Sequence, residues 1–413
     1  MATVMSAYIE YLRDSSLVWS FQSYFGVVKL TKAATHSNGY EPSDSAVVEK
    51  NAETHARSRT KAETTLSSDE TLSESDSGDG LYGEQSYMIT NKFWYHLFCF
   101  GTALGDENFY TSFFPFWFWN IDGAVGRRVV MIWVIIMYIG QGLKDIICWP
   151  RPFSPPAVKL EKKWALEFGM PSTHAMVGLG VPFTILYYTM YRYEYPVFLG
   201  FILCLAWCVV VCLSRIYLGM HTVLDIIGGL LLTVILLALF LPFLDHLDHF
   251  QLTNSYSPII IVGSILFLVI FYPSGPIWTP ARGDTTIILG VGAGCSFGSW
   301  LNYKLKIIHG PPIPPPYKIL WPTYEMVGLT LLRSCIGILI VVGTRAFFKS
   351  ISYILVCWIF RLDPKDKENN QKTFVELSCK FITYAVIGFN VSYLSPAVFR
   401  FLTIERATMY TEV

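Results

Sequence analysis

Charge is scarce in this chain. Only 15% of its 413 residues are Asp, Glu, Lys or Arg, against about 25% in soluble domains. Hydrophobic residues make up 53%, and the mean hydropathy is +0.42. Such a deficit excludes an ordinary soluble enzyme, because most of the chain must face lipid or a lipid-buried core. Net charge is lacking as well: 31 basic residues match 31 acidic ones, so nothing points to a nucleic-acid partner. The nine cysteines contain no CxxC and no Cys/His metal spacing. Cys148, Cys204, Cys208, Cys212, Cys335 and Cys357 lie in or beside apolar segments and read as buried small hydrophobes. No carboxylate cluster suited to Mg²⁺ is visible, so no metal or other cofactor is expected. There is no basic, apolar and small-residue leader, and insertion is expected to use the first span as anchor. No internal repeat is visible.

What is present is organised by hydropathy. Residues 1–33 place Tyr8, Ile9, Leu12, Val18, Phe21, Tyr24 and Phe25 at rough helical spacing. That is an amphipathic helix, lying either on the membrane or on the protein's own surface. Residues 34–86 are rich in Ser, Thr, Glu and Asp and too poor in apolar groups to offset their ordering entropy, so disorder is expected there. A core is expected over 87–246 and additional transmembrane helices over 247–413. A span needs about 20 mostly apolar residues. Candidates lie near 92–119, 128–148, 174–191, 195–215, 221–243, 257–273, 284–302, 326–347 and 376–400. The short run Ile351 to Phe360 is a tenth span or an interfacial helix. Aromatic residues reach 16%, and Phe116-Trp117-Phe118-Trp119 fits an interfacial belt. Gly105-Asp106-Glu107-Asn108 falls inside the first candidate. Its charges must face the bundle interior, or the segment must split into two half-helices.

Three segments concentrate anion-binding residues in this charge-poor chain. The first is Lys144-Asp145-Ile146-Ile147-Cys148-Trp149-Pro150-Arg151-Pro152. Lys144 and Arg151 are about two helical turns apart, and the prolines end the helix before Arg151. Two cations at the membrane boundary can clamp a phosphate; either alone can equally meet lipid headgroups or snorkel. The second is Pro171-Ser172-Thr173-His174, just before an apolar span. Ser172 or Thr173 can cap that helix, whose orphan N–H groups then form an anion site. The third runs from Ser214-Arg215 to His221 and Asp225. His221 and Asp225, at i and i+4, share one helical face. A carboxylate there can fix the tautomer and leave the other ring nitrogen free as a nucleophile. Topology brings the three together. The first segment ends one span and the second begins the next. Two spans then lie between His174 and Arg215, so every named side chain falls at one membrane face.

The pattern Lys-x6-Arg-Pro, Pro-Ser-x-His, Ser-Arg-x5-His-x3-Asp resembles the superfamily of type 2 phosphatidic acid phosphatases, glucose-6-phosphatase and vanadium haloperoxidases. It covers residues 144–225, and helices over 92–243 match that core in outline. Thr173 departs from the pattern, standing where many members have glycine; backbone N–H donation survives, in a more crowded pocket. A closer likeness is to the sphingosine-1-phosphate phosphatases. It rests on Cys148-Trp149-Pro150-Arg151-Pro152, Ser154-Pro155-Pro156, Met170-Pro171-Ser172-Thr173-His174-Ala175 and Trp278-Thr279-Pro280-Ala281-Arg282-Gly283-Asp284-Thr285.

The resemblance implies an all-α polytopic membrane protein with a six-helix phosphatase core and about three C-terminal transmembrane helices. It implies that His221 attacks phosphorus to form phosphohistidine, that Asp225 orients it, and that His174 protonates the leaving alkoxide. Lys144, Arg151, Arg215, Ser172 and the Thr173 backbone would bind the phosphate oxygens, with no metal. The implied substrates are sphingoid base phosphates, sphingosine-1-phosphate and dihydrosphingosine-1-phosphate, in the endoplasmic reticulum membrane with a lumenal site. A broader lipid phosphatase or a polyprenyl pyrophosphatase is the alternative within the class, and a transporter lies outside it. Oligomeric state stays open. So does orientation, because Arg127, Arg128, Lys304, Lys306 and Lys318 on one face oppose Lys159, Lys162 and Lys163 on the other.

Overall fold

The computed structural model describes residues 2–30, 87–161, 166–311, 313–366, 368–406, 408–409 and 411–412. The segment 34–86, expected to be disordered, lies outside them. The chain divides into a large unit, Met1–Val27 with Ile89–Val413, and a small one, Val28–Met88. Of the small unit only the ends are described, where strand β1 (Val27–Lys29) pairs with β2 (Tyr87–Ile89).

The N-terminal segment forms two helices, α1 (Ala2–Arg13) and α2 (Ser15–Tyr24). Asp14 separates them and caps α2 by accepting the Ser16 N–H. Helix α2 lies on the protein itself. Val18 is fully buried in a cluster with Ala157, Ala175 and Ile216. The buried Gln22 amide donates to the carbonyls of Val158 and Tyr217 at 2.6 and 2.8 Å.

The single span expected over 92–119 is two helices, α3 (Lys92–Ala103) and α4 (Glu107–Asn120). Three local features cause the break. Leu104 ends α3, Gly105 abuts the His174 ring with no room for a side chain, and Asp106 is extended at the N-cap of α4. The charges of Asp106 and Glu107 thereby sit at a helix end, where charge is cheaper than in mid-span.

Helix α5 (Gly123–Ile147) starts at Asp122, whose carboxylate accepts the N–H groups of Ala124 and Val125. It stops at Cys148, which is left-handed, with Pro150 two residues on. Helices α6 (Thr173–Thr189), α7 (Val197–Tyr217) and α8 (Val223–Thr253) complete a six-helix core, α3 to α8. Then come α9 (Ser257–Ile270), α10 (Ala281–Lys304), the 37-residue α11 (Tyr324–Phe360) and the single turn α12 (Glu368–Gln371). Helix α13 (Thr373–Phe389) passes through a π turn, Asn390–Leu394, into α14 (Ser395–Phe401). The apolar run Ile351–Phe360 is the end of α11, not a separate element. A parallel two-residue pair, β3 (Tyr193–Glu194) with β4 (Tyr317–Lys318), ties two loops together.

Among the described residues, five segments are long and apolar enough to cross a membrane: α5, α7, α8, α11 and Thr373–Phe401. The chain is a multi-pass membrane protein. Phe198 and Leu203 on α7, and Leu231, Ile235 and Phe243 on α8, point outward as lipid-facing side chains do. The core between α4, α5, α6, α8 and α13 is built on Trp119, Trp133, Ile136, Met176 and Leu244. Helix α10 is only weakly apolar because it is enclosed by protein, packed on α5, α8, α9 and α13. Gly290, Gly294 and Gly298 form its contact stripe toward α13. A Cβ on Gly294 would lie 1.9 Å from the Ala385 carbonyl oxygen, so the two backbones meet only because side chains are missing there.

Candidate active site

The ends of four consecutive helices supply the site. Lys144 is on the last turn of α5 and 2% exposed. Its ammonium donates to Glu167 Oε2 at 2.6 Å and to Thr173 Oγ1 at 3.1 Å. The Thr173 hydroxyl, in the place where the motif often has glycine, thus orients a cation. Arg151, four residues past α5, donates from Nε to the Glu167 carbonyl and from Nη1 to the Met220 carbonyl, both at 2.8 Å. Nη1 then lies 3.4 Å from Nε2 of His221. Arg215, on the last turn of α7, is wholly buried. Its Nη1 donates to Thr102 Oγ1 at 2.6 Å and Glu161 Oε2 at 2.9 Å. Its Nε and Nη2 have no hydrogen-bond partner among the described residues.

His221 occupies the turn between α7 and α8. Gly219 shapes that turn, with a φ of +70°. A Cβ there would also come within 2.2 Å of the Val158 carbonyl oxygen. Gly219→Ala is therefore strained twice over. It should lower kcat by about tenfold or more by displacing His221 two residues on. Steady-state kinetics on the purified variant, with its thermal stability measured alongside, checks this. An unchanged kcat would show that the turn tolerates the methyl.

The expected pairing of His221 with Asp225 takes a different form. Nδ1 is 3.7 Å from Asp225 Oδ2, an electrostatic contact longer than a hydrogen bond. The reason is local. Asp225 Oδ2 accepts the Thr222 N–H at 2.7 Å, while Thr222 Oγ1 accepts the Asp225 N–H, closing a capping box at the start of α8. The carboxylate still faces Nδ1, and Nε2 still faces Arg151.

His174, on the first turn of α6, has Nε2 3.2 Å from Asp106 Oδ1. Ser172 caps α6 through its side chain, and its own N–H donates to the Asp225 carbonyl, stitching α6 to α8. Lys144, Arg151, Thr173, His174, Arg215 and His221 all line one cavity. Ser172 and Asp225 sit behind that wall.

The buried Arg215 donors left without a partner favour an anion in the cavity. Burial lowers the Arg151 guanidinium to about 10, which leaves it charged at neutral pH. Burial alone would raise the Glu167 carboxyl, but Lys144 and Arg151 hold it below its usual range. Burial, and then the cations of Arg151, Arg215 and Lys144, push the His221 imidazole well below its ordinary value. The ring is thus neutral and able to use a nitrogen lone pair.

Four site residues were missed in the sequence: Glu167, Glu161, Asp106 and Thr102. Glu161 and Glu167 lie in the proline-containing connection and carry no periodic or motif signal. Their position between Arg151 and His174 was the available cue. Asp106 was expected only to face the interior. Among the described residues, no group of three or more His, Cys, Asp or Glu side chains is placed to hold a metal ion.

A buried cage of three cations with two imidazoles defines a phosphate-processing centre, and its sequence context agrees. The PAP2 superfamily matches residues 126–247. Sphingosine-1-phosphate phosphatase 1 of Rattus norvegicus is 44% identical over 331 residues, 79% of this chain and 77% of that protein. Sphingosine-1-phosphate phosphatase 2 of Homo sapiens is 36% identical over 401 residues, 96% and 99% of the two chains. Lipid phosphate phosphatase delta of Arabidopsis thaliana is 32% identical over 206 residues, about half of each. No solved structure matches. The fold and site are those of a membrane phosphoric monoester hydrolase acting on lipid phosphates. The chain belongs to the sphingosine-1-phosphate phosphatase family.

Proposed function

We propose that this enzyme hydrolyses sphingosine-1-phosphate and dihydrosphingosine-1-phosphate through a phosphohistidine, without a metal. The observation that carries the reading is His221. It lines the cavity, with Nε2 3.4 Å from the Arg151 guanidinium and Nδ1 facing Asp225. Nε2 attacks phosphorus as the ester P–O bond breaks. The leaving alkoxide takes a proton from His174, and Asp106 at 3.2 Å stabilises the imidazolium that this step requires. Asp225 offsets the positive charge His221 gains. Water then gives a proton to His174 and its oxygen to phosphorus, which frees His221 and inorganic phosphate. Lys144, Arg151, Arg215 and the first-turn backbone of α6 meet the charge building on the non-bridging oxygens. The substrate assignment is supported by the names of the two animal relatives and by their coverage of this chain.

The proposed setting is the endoplasmic reticulum membrane with the site lumenal. Arg127 and Arg128 are a weak orientation signal, because both are paired, to Asp248 at 3.0 Å and Asp245 at 2.7 Å.

A phosphate-release assay on a panel of lipid phosphates tests the proposal. Sphingosine-1-phosphate should be hydrolysed in excess chelator, and vanadate should inhibit by imitating the five-coordinate transition state. Activity lost on chelation and restored by Mg²⁺ would overturn the metal-free mechanism. No hydrolysis of either sphingoid phosphate would overturn the substrate assignment.

A further inference from the structure

The phosphate cage leaves part of the cavity unexplained. Gln141 lies on α5, one turn before Lys144 and about 4.5 Å along the helix axis. Its side chain is buried, with the residue 4% exposed, and Oε1 has no hydrogen-bond partner among the described residues. Leaving a buried amide oxygen unmatched costs about 1–3 kcal/mol. The same residue lines the cavity, so a ligand donor can satisfy it there.

Asp284 lines the same cavity from the first turn of α10. It belongs to the Trp278–Thr285 motif, to which the hydrolytic steps assign no task. It also lies outside the 126–247 segment shared across the superfamily. Tyr110, Trp133, Met137 and Ile288 form an apolar wall beside these two polar groups. The cavity lining thus combines cations, an unmatched acceptor with the carboxylates of Asp284 and Glu107, and apolar surface.

That set of groups matches the parts of a sphingoid base phosphate, in which phosphate is followed by an ammonium, a hydroxyl and a hydrocarbon chain. We infer that Gln141 and Asp284 form an amino-alcohol subsite next to the phosphate cage and determine specificity for sphingoid phosphates. The inference rests on the hydrolase reading above. Asp284 attracts the substrate ammonium, and Gln141 Oε1 accepts a hydrogen bond from the ammonium or the hydroxyl. A phosphate lipid lacking both groups leaves these side chains unmatched, and that loss is the source of discrimination.

The test uses the purified full-length enzyme with three substrates: sphingosine-1-phosphate, its N-acetyl derivative and the monoalkyl phosphate of equal chain length. The wild-type enzyme should prefer sphingosine-1-phosphate to the other two by tenfold or more in kcat/KM, roughly the discrimination a dedicated polar contact provides. Asp284→Asn and Gln141→Leu should each compress the ratio of kcat/KM for sphingosine-1-phosphate to that for the monoalkyl phosphate. The expected compression is about tenfold for Asp284→Asn and less for Gln141→Leu. Asp284→Glu should keep most of the preference. A wild-type enzyme that accepts the N-acetyl derivative equally well would overturn the subsite without needing any variant. So would an unchanged ratio in both variants, or equal loss on both substrates. Failure of the wild-type enzyme on sphingosine-1-phosphate itself would instead overturn the proposed function.

Discussion

His221→Ala should abolish turnover, with a loss of about 10⁴-fold or more in kcat, as for removal of a covalent nucleophile. It should also abolish trapping of radioactive phosphate on enzyme quenched during turnover. Both histidines line the cavity, so location alone does not separate their roles. Their surroundings do. His221 has Nε2 3.4 Å from the Arg151 guanidinium, whereas His174 has Nε2 3.2 Å from the Asp106 carboxylate. His221 also has Asp225 at 3.7 Å, placed to offset the charge that the proposed phosphorylation would create. Asp225→Asn should therefore be intermediate between wild type and His221→Ala. It keeps the side-chain shape and one acceptor for the Thr222 N–H but loses the charge compensation. A phosphoenzyme trapped on His221→Ala but not on His174→Ala would reverse the assignment.

The second large effect is conditional on the leaving group. His174→Ala should lower kcat for a sphingoid phosphate by about 10²–10⁴-fold, the usual contribution of a positioned general acid. The expelled alkoxide is strongly basic and needs a proton as the bond breaks. With p-nitrophenyl phosphate, whose leaving group needs none, the loss should be much smaller if that substrate is accepted. Burial, with Arg215 and Lys144, lowers His174 to about 4, and the Asp106 carboxylate 3.2 Å from Nε2 partly offsets this in favour of the protonated ring. Gly105 beside it leaves room for the ring, because any side chain there would strike the imidazole. Equal losses on both substrates would mean that His174 binds phosphate and transfers no proton.

Much of the site was readable from local spacing. Lys144, Arg151, His174, Arg215 and His221 sit at span boundaries, and hydropathy locates those boundaries well. Counting crossings was enough to bring them to one face. The break at Leu104–Asp106 was only half legible: the charges signalled an interior or a split, but apolar flanks also allow a continuous helix. At the break the His174 ring packs against Gly105, a contact between helices that sequence spacing does not encode. The Asp225 geometry was legible as one helical face. Its competition with the Thr222 cap was not, although Thr222 and Asp225 at i and i+3 are a capping-box spacing.

By itself the sequence determined that this is an all-α membrane protein with a cationic, histidine-bearing site at the ends of consecutive spans. It could do so because lipid permits few spanning structures and makes every charge in a span conspicuous. Only the tertiary structure decided what neutralises and orients those charges. Glu167 on Lys144, Glu161 and Thr102 on Arg215, and Asp106 on His174 come from connections and helices far along the chain. The same holds for Gln141 and Asp284, which meet at one cavity only because α10 packs on α5. Such pairings arise from helices packing side by side, and the period of any single helix carries no record of its neighbour.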